Sequence, residues 1–155
     1  MLKRYTFWLW MAVVFMLLTA AVHSISFFVN PVPQNEIERQ LVDLMRTYKN
    51  DFGGGFHPTM GNLFTALSSC FSLLCLFGGL TNAYLLKKKV GPGILKGFVA
   101  INLLVFGICF VMMLVFTFLP PIILTGLIEV FLILAILTIQ GATAEDEARL
   151  GKNRS

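Results

Sequence analysis

Polar and charged positions in this chain come in short bursts. Between the bursts lie four long apolar runs, at about 7–29, 60–86, 98–119 and 122–139. An α-helix rises about 1.5 Å per residue, so about 20 apolar residues cover the roughly 30 Å hydrocarbon core of a bilayer. Each run therefore predicts a transmembrane helix. None shows the short alternating pattern of an outer-membrane strand, so a barrel is excluded.

The segment between the first two runs has a different period. Pro31 and Pro33 stop the incoming helix, because each lacks an amide proton and restricts the residue before it. Asn35 followed by Glu38 resembles a capping box. Ile37, Leu41, Leu44, Met45 and Tyr48 then recur at helical spacing, with Glu36, Arg39, Gln40, Asp43 and Arg46 on the opposite face. This predicts an amphipathic interfacial helix over about 35–51, lying on the outer surface of the membrane. Gly53, Gly54 and Gly55 follow as a permissive joint, which suits either a hinged lid or a passive interfacial helix.

The remaining connections, "KKKVGPGILKG" and "FLPPI", are short, so helices adjacent in sequence should pack antiparallel. The expected fold is an all-α integral membrane protein: a single domain over 1–155, an antiparallel four-transmembrane-helix bundle with an amphipathic interfacial helix between helices 1 and 2. The tail over 141–155 extends the fourth span briefly and then frays.

Composition agrees. The chain is 57% hydrophobic and 13% charged, against about 45–50% apolar in soluble domains. Lys3 and Arg4 precede the first run, Lys87, Lys88, Lys89 and Lys96 flank the second connection, and Arg149, Lys152 and Arg154 lie in the tail. The first connection offsets Arg39, Arg46 and Lys49 with Glu36, Glu38, Asp43 and Asp51. Positive charge favours the inside, which places both termini in the cytoplasm of a multi-pass bacterial inner (plasma) membrane protein. The net charge of +4 then points to anionic headgroups and membrane lipids as partners rather than nucleic acid. The first run continues through "ISFFV" beyond its small-residue stretch, too long for the apolar core of a signal peptide, so it reads as a retained span.

Cys70, Cys75 and Cys109 all fall within runs and form no CxxC, which leaves them as small space-fillers with no redox or metal signature. No cofactor and no metal is implied. Tyr5, Trp8, Trp10 and Tyr84 read as interfacial anchors.

Polar residues inside the runs carry the functional signal, because each needs a partner away from water. Asn62, Thr65, Ser69, Ser72, Cys75, Gly79 and Asn82 form one stripe on the second span, suited to close helix packing or to a polar crevice. Asn82 and Asn102 lie at similar depth and predict a mutual hydrogen bond. Thr19, His23, Ser26 and Asn30 share a face of the first span. His23 sits roughly 10 Å below the outer end of its span, and Glu129, the one acid in any run, roughly 12 Å below the outer end of the fourth. His57 and Asn62 open the second span on that side. His23, Glu129, Asn62 and Thr125, with His57, are thus expected to converge in the outer half of the bundle. No Lys or Arg lies at that depth, so Glu129 is expected to be neutral or to share a proton or hydrogen bond with His23 or Asn62.

The order of "AVHSISF", the mixed-charge connector and "GGFHPTMGNLFTALSS" resembles a family of small four-span bacterial membrane proteins first catalogued in leptospiral genomes. The resemblance covers most of the chain and implies four helices and no established activity. Other four-span families fail on their motifs. Quinone-coupled disulfide oxidoreductases need a CxxC. The membrane glutathione-transferase type needs an Arg-bearing start to its second span. Small multidrug transporters carry their glutamate in the first span. Haem ligation would need two histidines at one depth.

Three functions remain open. The first is a binding or accessory protein whose outer polar pocket, lined from His23, Glu129, Asn62, Thr125, His57, Thr19, Ser26 and Thr65, holds a lipid-like or small amphipathic ligand or a partner helix, as a monomer or homo-oligomer. The second is a proton-linked small transporter using Glu129. The third is a membrane enzyme using His23, His57 and Glu129.

Overall fold

A computed structural model of the chain describes the backbone of residues 4–29 and 32–152 and the side chains as far as residue 141. Lys3, Asn30, Pro31 and Arg154, and the side chains of Arg149 and Lys152, lie outside the described residues.

The chain forms five helices: α1 (Arg4–Ile25), α2 (Glu36–Thr47), α3 (Met60–Lys87), α4 (Pro92–Phe116) and α5 (Leu119–Lys152). Four of them, with Leu119–Gly141 standing for α5, are long and apolar enough to cross a membrane. Among the described residues the only extended pairing is an isolated bridge between Lys49 and Thr59. In α4 only 17% of the most apolar window is buried. An apolar surface that wide has no stable place in water, so the protein is a multi-pass membrane protein.

Helix ends depart from the hydropathy runs for local reasons. α1 stops at Ile25, short of 29, because the chain tightens into consecutive i→i−3 bonds, from Ser26 N to His23 O, Phe27 N to Ser24 O and Phe28 N to Ile25 O. α4 starts earlier than 98, with Pro92 in its first turn after the N-cap Gly91. The missing amide of proline costs nothing there, since the first helical N–H groups have no intrahelical acceptor. The same logic moves Pro120 and Pro121 from a connecting turn into the first turn of α5, leaving only Thr117 and Phe118 between α4 and α5. α5 continues through the tail to Lys152.

The chain divides into two compact units: Met1–Thr19 with Cys75–Ser155, and Ala20–Leu74. In the first, α4 packs along α5, and Leu9, Met16, Val99, Phe106, Ile128 and Leu132 are buried in the core. Glycines permit the closest approaches: a β-carbon on Gly78 would stand 2.9 Å from the Phe106 ring, and one on Gly79 would stand 2.8 Å from Leu17 Cδ2. Phe131 of α5 stacks with Trp8 and Phe15 of α1, at centroid distances of 6.1 and 5.3 Å. Trp8, expected as an interfacial anchor, is thus also an element of packing.

The predicted Asn82–Asn102 hydrogen bond does not form. Asn82 Nδ2 donates to Gly78 O at 2.8 Å and Asn102 Nδ2 to Phe98 O at 2.9 Å. In an apolar setting the carbonyl four residues back is the nearest acceptor, and each amide takes it.

The second unit is far more open. Of its described residues only Ala20 and Ser72 are buried, while most of the apolar side chains described are exposed. The small-residue stripe of α3 therefore has two characters. It is buried at Ser72, Cys75, Gly79 and Asn82, and open at Asn62 and Thr65.

Candidate functional site

In the Ala20–Leu74 unit the sequence builds a cleft. Asn35 caps α2, its Oδ1 accepting from Glu38 N at 2.8 Å, while Glu38 Oε2 accepts from Gln34 N at 2.7 Å. Two otherwise unpaired amides are satisfied, one of them a residue upstream of the usual capping-box partner. α2 ends at Thr47 because Tyr48 turns extended (φ −68°, ψ 118°) and the following residues pair backward. Asn50 N donates to Pro58 O at 3.0 Å, beside the Lys49–Thr59 bridge.

The turn between these bridged segments needs Gly53, Gly54 and Gly55, with φ of 77°, 62° and 81°. Three successive left-handed residues are cheap only for glycine. Gly53 N donates to Asp51 Oδ1 at 2.9 Å, an Asx-type turn. The reversal returns the chain under α2, where a β-carbon on Gly61 would lie 3.3 Å from Met45 O.

Between the end of α1, the underside of α2 and the start of α3 lies a cavity of ≈ 610 Å³. Its apolar wall comes from Phe27, Val29, Val42, Met45 and Phe64, and its polar lining from Ser26, Arg46, Thr59, Asn62, Thr65 and Ser68. The hydroxyl hydrogens of Ser26 and Thr65 are spent on His23 O (2.6 Å) and Gly61 O (3.0 Å), so toward a ligand these groups accept rather than donate. The Asn62 side chain, exposed on α3, keeps both donor and acceptor capacity.

The structure brings Ser26, Asn62 and Thr65 together on this cavity. His23 stands beside it in sequence, edge-on to Phe27 at 5.7 Å and to Phe71 at 5.1 Å, with Nε2 buried and unpartnered. His57 does not line the cavity. It sits in the glycine turn, with Nδ1 3.7 Å from Asp51 Oδ1, both groups exposed.

Thr19, Thr125 and Glu129 belong to the other unit. Both threonines are buried and spend their hydroxyls on their own helices, Thr19 Oγ1 on Phe15 O and Thr125 Oγ1 on Pro121 O, each at 2.7 Å. Glu129 lies in a shallow groove of ≈ 720 Å³ between α4 and α5, among Phe110, Ile122, Leu127, Val130 and Ile133. Its carboxyl rests over Gly107, and Oε1 is buried with no hydrogen-bond partner. The absent side chain of Gly107 leaves the notch that the carboxyl fills.

Sequence reasoning missed Val42, Met45 and Arg46 as cavity residues. Periodicity puts Met45 on the apolar face of α2 and Arg46 on its polar face. The cleft is lined from the boundary between the two faces, where periodicity gives no warning.

The chain matches no protein-family model, no curated protein and no solved structure.

Proposed function

We propose that the protein is a small binding or accessory protein of the bacterial inner membrane that holds a lipid-like or small amphipathic molecule in the cleft beneath α2. The single observation that carries this reading is the two-sided lining of the ≈ 610 Å³ cavity. Its volume falls in the roughly 300–1,000 Å³ range of small-molecule sites, which pair apolar walls with a few placed polar groups. Phe27, Met45 and Phe64 suit an apolar chain, while Asn62 and Arg46 suit a polar or anionic head.

The exposed residues of α2 support its place as an amphipathic interfacial helix. Ile37, Leu41, Leu44 and Tyr48 are all more than half exposed, and a lipid interface is the medium that suits such a face. With both termini cytoplasmic, as the Lys and Arg distribution favours, the cleft opens toward the outer leaflet.

The test is mass spectrometry of amphiphiles retained by protein extracted in native nanodiscs, comparing wild type with Ser68→Phe, which fills the cleft, and Asn62→Leu, which removes its free amide. Both variants are expected to lose the retained species. Equal retention in all three would overturn the reading, and capture of a membrane protein in its place would assign the cleft to a partner helix.

A second reading rests on the orphaned Oε1 of Glu129. A carboxyl with a buried, unpartnered oxygen can exchange a proton, as a proton-linked transporter needs. Proteoliposomes carrying a pH-sensitive dye would report proton flux, and Glu129→Gln is expected to abolish it. Absence of flux in the wild type removes this reading.

A further inference from the structure

A second cavity, of ≈ 550 Å³, lies where the start of α1 meets the α3–α4 connection, and it uses none of the residues of the cleft beneath α2. Its apolar lining includes Trp10, Leu86, Pro92 and Leu95, with Tyr5 and Lys89 among the polar contributors. Leu95 and Tyr5 are buried, so the floor is formed rather than open.

One basic side chain, Lys89, lines the cavity. Lys87 and Lys88 precede Lys89 and are exposed, Arg4 and Lys96 are exposed next to the lining residues Tyr5 and Leu95, and among the described residues none of the five makes an ion pair. No Asp or Glu occurs between Asp51 and Glu129, so this stretch of chain carries no acid to neutralise them. Lys88 Nζ instead stands 5.7 Å from the centre of the Tyr84 ring.

Lys89 is also conformationally exceptional. Among the described residues it is the one non-glycine with positive φ, at 50°. The bonds around it show why. Val90 N donates to Leu85 O at 3.4 Å and Lys89 N to Leu86 O at 3.1 Å, the pair that defines a Schellman helix end with Lys89 at the left-handed position. That position favours glycine, because a β-carbon is strained there. The backbone amides already satisfy the last carbonyls of α3, so the ammonium is not needed to end the helix. A lysine standing against the local backbone preference, at the mouth of a cavity, is the kind of outlier from which a function can be argued.

We propose that this cavity binds the phosphate of an anionic phospholipid, with Lys89 as its principal cation and the surface of Trp10, Leu86 and Leu95 receiving the start of the acyl region. A phosphodiester carries the negative charge that pairs with the Lys89 ammonium at the cavity. The apolar floor favours a lipid over a free anion, and an amphipathic aromatic such as Trp10 suits headgroup depth.

The experiment is native mass spectrometry of the purified full chain offered equal amounts of phosphatidylglycerol and phosphatidylcholine with the same acyl chains, repeated with inorganic phosphate in excess. Wild type is expected to retain the anionic lipid preferentially. Lys89→Gly is expected to lose about fivefold in that preference, the worth of one cation near an anionic surface, while its thermal midpoint holds or rises because the helix end is relieved. Lys89→Arg should retain the preference, and Lys49→Gln, which changes net charge equally elsewhere, should leave it unchanged. Equal retention of both lipids by the wild type, or an unchanged preference in Lys89→Gly, would overturn the proposal. Displacement of the lipid by inorganic phosphate would reassign the site to a free anion and overturn its lipid half.

Discussion

Gly107 of α4 and Glu129 of α5 are complementary: a β-carbon on the glycine would stand 3.6 Å from Oε1 of the glutamate. One residue supplies the absence that the other fills. The distance is an ordinary van der Waals contact, so Gly107→Ala is expected to fold normally and to gain up to about 1 kcal/mol from helix propensity. Gly107→Leu should expel the carboxyl and lower the thermal midpoint in detergent. Equal midpoints for the two variants would show that the notch is not occupied.

Gly78 gives the opposite result. A β-carbon there would meet two atoms of the Phe106 ring at 2.9 and 3.0 Å and Met16 Sδ at 3.4 Å, and both side chains are buried. Overpacking of a closed site typically costs about 1–3 kcal/mol. Gly78→Ala should therefore lower the thermal midpoint where Gly107→Ala does not, and a neutral Gly78→Ala would contradict this packing.

Glu129 itself can be tested for a hidden partner. Its Oε1 is buried and accepts no hydrogen bond, a condition that costs about 1–3 kcal/mol for a buried polar group. Glu129→Met fills similar space without an unmet acceptor, so it should be neutral or stabilising in a detergent melt. A clear loss of stability would mean that another group bonds this carboxyl.

The cap of α2 is a local device with a local readout. Asn35→Ala removes the bond to Glu38 N and should cost about 1 kcal/mol of helix stability. Hydrogen exchange is expected to quicken at the first turns of α2 and to stay unchanged in α4 and α5. Protection lost throughout the chain would make α2 a keystone of the whole fold instead.

The proposed place of α2 at the lipid interface predicts a depth. A nitroxide on Leu41→Cys, with the three native cysteines replaced, should collide with oxygen more readily than with a water-soluble nickel chelate. The same label on Asp43→Cys should show the reverse. Identical profiles would detach α2 from the membrane surface.

The four spans, the α2 helix and its cap, and the glycine joint could all be read from residue order alone. Each depends on short-range rules: the length of an apolar run, a 3.6-residue period, a side chain within one helical turn, a φ that only glycine adopts easily. The bonds of Thr19, Thr125, Asn82 and Asn102 escaped that reading, although they too are local. Depth arguments sought partners across helices, whereas the carbonyl three or four residues back was already within reach. What the tertiary structure alone decided was where space was left. The cleft beneath α2 depends on how Met45 and Gly61 approach, the seat of Glu129 on the notch at Gly107, and the basic cavity on a lysine held left-handed at the end of α3. Such voids are properties of surfaces brought together from distant parts of the chain, and no period or spacing within one segment encodes them.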